Sequence, residues 1–257
     1  KKLHTLHIDK KRRPLTASAE TMKLQFPFIS LDEVEAYKIF EAEANPNKQA
    51  AILRSIDAMK REPEFTAGRT GRVFTNLTNM PKALRGLLKY KDTYFHESDI
   101  RSCQPLMLGK LLNNSQLVRA CREEDFYMLL GEKVYEMTGE KLTRDEVKDK
   151  VMIYVLNAKR VNGYPVWKGA TIDYAFKAKF PQAHKVLETR VRADHKKSQR
   201  LIATLQGMEA AIIFQSVLPA AQKFSPVSFT VHDSVSVPIC FSKRIDAIMN
   251  HHLNQIP

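Results

Sequence analysis

Two acidic residues stand where a carboxylate is costly unless something meets its charge. In "SFTVHDSVSVP", residues 228–238, Phe229, Val231, Val235 and Val237 alternate with Thr230, Ser234 and Ser236. That is the period-two pattern of a half-buried strand, and His232 and Asp233 interrupt it. In one unbroken strand Asp233 shares the parity of the valines and turns its charge to the apolar side, which is expensive without a cation. The alternative is that His232-Asp233 forms the tip of a tight hairpin, although no Gly follows the Asp as such turns prefer. A plain turn Asp explains the stretch as well. The second acid, Asp99 in "HESDIRSCQPLML", lies at a strand-to-helix junction, where a helix-capping Asp is the simplest reading. Carboxylates carried on separate strands also suit a pair of divalent ions, which take oxygen ligands on rigid supports.

Between the two acids, "RDEVKDKVMIYVL" repeats Arg144, Lys148, Met152 and Leu156 every four residues. On a helix this makes one drifting stripe, cationic in its first turns and apolar further on. It reads as a surface helix with solvated cations and a core-facing Met and Leu. The alternative to that simpler reading is a helix that holds a triphosphate with Arg144 and Lys148 and packs a base or sugar against Met152.

The elements that must position these residues are mixed. Residues 1–22 are polar and basic, an arm or linker. Helices follow over 31–61, with Ser30 as the cap before "LDEVEAYKIFEAEA" and Pro46 in the first turn of the next. "GRTGRVFTNLTNMP" is a Gly- and Asn-rich loop, "TYFHESDIRSCQPLMLGKLL" a strand running into a helix, and 116–161 and 182–222 are helical. Strands are few and flank the acids, so an α+β layer architecture is expected.

The 257 residues carry 41 Lys and Arg against 28 acids, a net charge of +13 spread along the chain. A polyanionic partner is the first expectation, and nucleic acid is favoured over a membrane surface. No stretch approaches 18 uninterrupted apolar residues and no basic amphipathic helix dominates. Cys103, Cys121 and Cys240 have no paired spacing and suit a reducing compartment. No signal peptide is visible, so a cytoplasmic, nucleic-acid-associated protein is expected. The chain begins at Lys1, which fits a piece of a longer product with further domains or a replication partner.

Taken in order across about residues 68–250, these features resemble family A polymerases, the DNA polymerase I type, and their relatives the phage-type single-subunit RNA polymerases. "GRVFTNLTNMP" is similar to the family's Gly-Arg…Asn-Leu-Gln-Asn-Ile-Pro loop, and "SDIRSCQPLML" to its first catalytic Asp motif. "EEDFYMLL" is similar to the Asp-Ile-His segment that follows. "RDEVKDKVMIYVL" keeps the spacing of the fingers helix, and "FPQAHKVLETR" resembles the Tyr-Pro helix after it. "LQGMEAAIIFQSVL" looks like Met-Gln-Gly-Thr-Ala-Ala-Asp-Ile-Ile, and "VHDSVSVP" completes the set.

The resemblance implies a right-hand polymerase fold of α+β class. An antiparallel palm sheet spans 68–257, helical fingers are inserted at about 116–205, and 23–67 supplies a reduced thumb. It implies two Mg²⁺ held by Asp99, Asp233 and the Ile100 carbonyl, acting on a primed nucleic-acid template and nucleoside triphosphates. Arg144 and Lys148 would meet the phosphates, Lys148 would protonate the leaving pyrophosphate, and Gln104, Met152 and Leu156 would line the nucleotide. Arg72, Asn79, Gln206 and His232 would touch primer or template.

The chain departs from the pattern at the sugar. DNA-polymerising members carry Glu where Gln104 stands. RNA-polymerising members have Tyr and Gly where Leu156 and Asn157 stand, and Ser234 is the RNA-type residue after His-Asp. The loop and the "LQGMEAAII" helix favour DNA synthesis, with an RNA polymerase or primase as the alternative. A metal-dependent nuclease, which gathers more carboxylates, and a non-catalytic nucleic-acid-binding module are further alternatives.

Overall fold

The computed structural model describes residues 14–156, 160–161, 164–165 and 167–255. Most of the expected basic arm, including its "DKKRR" run, lies outside the described residues, as does Asn157. In chain order come α1 (Ala17–Gln25), β1 (Ile29–Leu31), α2 (Glu33–Ala42), α3 (Pro46–Met59), β2 (Thr66–Ala67), β3 (Val73–Phe74), α4 (Lys82–Arg85), β4 (Leu88–Tyr90) and β5 (Thr93–Asp99). Then follow α5 (Cys103–Leu111), α6 (Ser115–Glu123), α7 (Phe126–Thr138), α8 (Arg144–Lys150), β6 (Arg160–Val161), β7 (Tyr164–Pro165), α9 (Thr171–Lys179), α10 (Pro181–Val186) and α11 (His195–Ile212). The chain closes with α12 (Leu218–Ala221), β8 (Phe229–Val231), β9 (Ser234–Pro238) and α13 (Ser242–Gln255). This is an α+β chain with an antiparallel sheet, and it divides into two compact units.

One unit holds the described residues up to Ile100 and from Glu209 onward. Its sheet has the order β1-β4-β5-β9-β8, antiparallel throughout. β5 and β9 pair from Phe95 opposite Pro238 to Asp99 opposite Ser234. Val235 and Val237 are fully buried, and α13 packs on β5 and β9. Ile245, Met249 and Leu253 recur every four residues along α13 and are buried, the single apolar stripe of a helix lying on a sheet. Residues 23–67, expected as a separate helical region, give β1 to this sheet and belong to the same unit. Ser30, expected to cap α2, is spent in the β1–β4 ladder opposite Lys89. Asp32 caps instead, accepting from the Glu35 N–H at 3.3 Å. Asn45 and Pro46 open α3 as expected.

The other unit, Arg101–Met208, is inserted between the strand that carries Asp99 and the segment that leads back to β8. It begins with α5, ahead of the expected 116. Phe126, Phe176 and Phe180 cluster at centroid distances of 5.4–6.5 Å, Phe126 stacked on Phe180 and edge-on to Phe176, joining α7 to α9. Beside them Arg192 is almost wholly buried, 1% exposed. It donates to Asp173 at 2.9 Å, to Glu188 at 2.5 Å and to the Tyr154 and Val155 carbonyls at 3.0 and 3.1 Å. Those carbonyls belong to a π-helical turn, Val151–Leu156, whose wider hydrogen-bond step releases acceptors that a straight α-helix would use. The guanidinium also lies over the Trp167 ring, 4.7 Å from its centroid.

Arg192→Met should therefore leave the buried Asp173 with His184 alone among the described residues and return the partly exposed Glu188 to water, costing about 3 kcal/mol. Urea unfolding followed through Trp167, the single tryptophan, should show a clearly lowered midpoint. An unchanged midpoint would mean that the ion network does not hold this unit.

Candidate functional site

Val231 pairs with Ser234, so His232 and Asp233 alone form the tip of a two-residue hairpin between β8 and β9. His232 takes φ 54°, in the left-handed region that a hairpin of this twist demands and that a non-glycine residue enters at some cost. The Ser234 hydroxyl donates to the Val231 carbonyl at 2.9 Å and braces the turn. Of the readings open from sequence, the hairpin is the one found. Asp99 ends β5 directly opposite Ser234, and the Ile100 N–H donates to the Asp233 carbonyl at 3.1 Å, extending the pairing past the strand end. The two acids thus leave the same end of neighbouring strands. Asp99 caps no helix: the N-cap of α5 is Ser102. Exposed at the strand end, it makes no hydrogen bond or ion pair among the described residues.

Asp233 is half-buried and also has no cationic partner. Burial, then the charges of Glu209 and Asp99, push its carboxyl up to about 6, against its own backbone N–H and the more distant Arg72. Two further acids surround the pair. Glu209, fully buried, is gripped by Arg72 through two hydrogen bonds of 2.6 Å. Glu97, two residues before Asp99 and so on the same face of β5, accepts from the Ser234 hydroxyl at 2.8 Å and from Arg85 at 3.4 Å. Each of these outer acids has a guanidinium, whereas Asp99 and Asp233 have none. Hard oxygen donors on rigid supports without a protein cation fit a divalent ion. His232 stands beside them with its ring edge toward Phe74, centroids 6.3 Å apart, and its Nδ1 buried without a partner. Burial, with the charges of Arg72 and Arg85 behind it, holds its pKa below the ordinary histidine value, so the ring is neutral at neutral pH.

The structure brings together Asp99, Ile100, His232 and Asp233. Arg72, expected on a nucleic-acid strand, is held by Glu209 through Nε and one terminal nitrogen. Asn79 is exposed on the loop after β3. Gln104, Arg144, Lys148, Met152, Leu156 and Gln206 belong to the other unit. There Arg144 pairs with Asp125 at 2.9 Å and lies over Tyr127, while Lys148 is exposed without an acidic partner among the described residues. Met152, Gln104 and Gln206 are half-buried. Leu156, in the π-helical turn after α8, is 1% exposed and faces the interior, as the surface-helix reading of the stripe expected and the nucleotide-lining one did not. Sequence reasoning missed Glu97, Arg85 and Glu209. The parity of Glu97 with Asp99 was a readable signal, whereas the Arg72–Glu209 pair joins residues 137 apart.

A second cluster, Asp173, His184 and Glu188, brings its ligand atoms within 4.8 Å of one another. Arg192 already supplies its positive charge through both carboxylates. Burial works to raise Asp173, yet hydrogen bonds from His184 and Arg192 outweigh it and hold the carboxyl below its usual range. This is an ion-pair network of the interior. Among the described residues one helical stretch, Arg200–Ala221, is long and apolar enough to cross a membrane by length and composition alone. Half of its apolar window is buried, and Glu209 within it is held by Arg72. Comparison with protein-family models and with curated proteins found no match for this sequence.

A carboxyl whose native pKa is raised supports the fold while protonated and opposes it once ionised. The contribution of Asp233 is therefore full below about pH 4 and lost as pH rises through about 6. In EDTA, Asp233→Asn should raise stability at pH 7.5 by up to about 3 kcal/mol, with the gain vanishing toward pH 4. Thermal melts at the two pH values check this, and a gain independent of pH would refute the charge repulsion.

Proposed function

We propose that this chain is a template-directed nucleotidyltransferase that adds nucleotides to a primer 3′ end, acting as a DNA polymerase of the family A type with a right-hand fold. The observation that carries this reading is the pair of cation-free carboxylates on adjacent antiparallel strands, one of them on a two-residue hairpin. The order of the sequence motifs around that pair supplies the rest. Asp99, Asp233 and the Ile100 carbonyl would hold two Mg²⁺. Ions bound there would acidify the primer hydroxyl and neutralise the triphosphate and the leaving pyrophosphate.

Phosphoryl transfer leaves the protein mainly positioning and charge. Lys148, exposed and unpaired among the described residues, offers an ammonium for the triphosphate and a proton for the leaving pyrophosphate. Arg144 can exchange Asp125 for a phosphate at little cost, since its pair is 42% and 26% exposed and such pairs are weak. The neutral ring of His232 presents to a primer end without adding charge beside the ions.

Two alternatives weaken on the same geometry. A nuclease gathers more carboxylates, but here Glu97 and Glu209 are taken by Arg85 and Arg72. An RNA polymerase or primase was suggested by Ser234, but this side chain is 1% exposed and occupied with Val231 and Glu97. Its hydroxyl serves the hairpin and says little about the sugar. Gln104 keeps bulk at the position that would meet the ribose C2′.

The test is extension of a primed template with dNTP and Mg²⁺. Asp99→Asn or Asp233→Asn should abolish addition while template binding persists, since affinity comes from phosphate contacts elsewhere. A mutant that kept more than about a hundredth of the rate, worth roughly 3 kcal/mol of barrier, would end the two-carboxylate assignment.

Sugar choice has its own measurement, kcat/KM for dATP against ATP opposite template T. Discrimination of about 1–3 kcal/mol is expected, the scale of one steric or hydrogen-bond contact. Gln104→Ala should raise ribonucleotide incorporation and leave deoxynucleotide addition comparatively unharmed. A wild type that prefers ATP would promote the RNA alternative.

A further inference from the structure

We propose that the open groove between α3 and the loop after β3 is a track for one nucleic-acid strand, with Phe74 as a stacking platform at the end nearest the carboxylates. This rests on the polymerase reading, which it deepens by naming the surface that holds a strand. The groove encloses about 580 Å³. Its α3 wall is formed by Ala51, Arg54, Ser55 and Ala58, at helical spacing along one face, and Arg61, two residues past the end of α3, continues it. Small side chains make the floor, so a sugar–phosphate backbone can come close. Arg54 lies on α3 and Arg61 just beyond its end, and neither has an acidic partner among the described residues. One acid, Glu64, also lines the groove, and its backbone N–H is turned to the opposite wall.

That opposite wall is fastened in place before any ligand arrives. The Asn76 side chain accepts from the Glu64 N–H at 2.8 Å and donates to the Ala58 carbonyl at 2.7 Å, which clamps the loop to the end of α3. Asn79 and Thr75 add uncharged hydrogen-bonding groups that suit a sequence-neutral contact. Phe74 is 41% exposed and nevertheless held. Its ring lies against Gly68, where an added Cβ would stand 2.7 Å from Cε2. Its edge-on contact with His232 places the platform next to the hairpin that carries Asp233. Separated cations along one wall and an exposed, fixed ring at the end form the pattern that binds single strands by backbone charge and base stacking. An acidic peptide would use the arginines and have no use for the ring.

The experiment is fluorescence anisotropy of a labelled single strand of about 12 nucleotides, titrated with the whole chain in EDTA so that no chemistry occurs. Arg54→Gln/Arg61→Gln should weaken binding about tenfold at low salt. It should also lower the slope of log K against log salt by about 1.4, two phosphates at about 0.7 each. Phe74→Leu, and Gly68→Ala through the displaced ring, should weaken binding with the slope unchanged. Circular dichroism should be unaltered in the arginine double variant, whose replaced side chains are exposed. Wild-type affinity and slope in that variant, wild-type affinity in Phe74→Leu, or equal competition by poly-glutamate would each overturn the proposal. Asp99→Asn should bind as wild type in this assay. A failed groove therefore leaves the extension test of the carboxylates standing, and a failed extension test leaves the groove measurable.

Discussion

Two carboxylates at one end of the β5–β9 pair, with no guanidinium or ammonium bonded to either, are the constraint around which the sheet-bearing unit is arranged. Asp99 has water; Asp233 does not have enough of it, and the charges of Asp99 and Glu209 raise its carboxyl further. Such repulsion persists only where the surroundings fix the geometry. Here they do: the hairpin has two residues, its first sits at φ 54°, and Ser234 and Ile100 tie the tip to Val231 and Asp233 from both sides. The energy lost at the tip is recovered in the buried valines of β9 and in α13 beneath them.

The placement of arginines sharpens the contrast. Several of the acids inside the fold are met by an arginine: Arg72 on Glu209, Arg85 on Glu97, Arg192 on Asp173 and Glu188. Asp233, half-buried and without such a partner, is the exception. By the same standard the Asp173–His184–Glu188 cluster is already neutralised from within, although its atoms are close enough to share an ion.

The sequence made the site more legible than its surroundings. Alternation on either side of His232-Asp233, a local pattern of period two, pointed to strands and allowed the hairpin. The strand-to-helix junction at Asp99 was equally local, as were the Asn45 cap and Pro46. Where the sequence misled, something non-local decided. Ser30 lost the cap because the strand opposite it, at Lys89, claimed its backbone. Arg72 looked available because nothing in its neighbourhood of sequence announces Glu209. The groove was hidden for the same reason: Arg54 and Arg61 face the loop after β3 only once the chain is folded.

Iron-directed cleavage tests the metal-centre assignment most directly. With Fe²⁺ in place of Mg²⁺, ascorbate and peroxide generate hydroxyl radicals that cut the backbone beside the bound ion. The carboxylate pair predicts cuts near residue 99 and near 232–234, suppressed by excess Mg²⁺ and absent in Asp99→Asn. Cuts confined to 173–188, or none that Mg²⁺ suppresses, would contradict it.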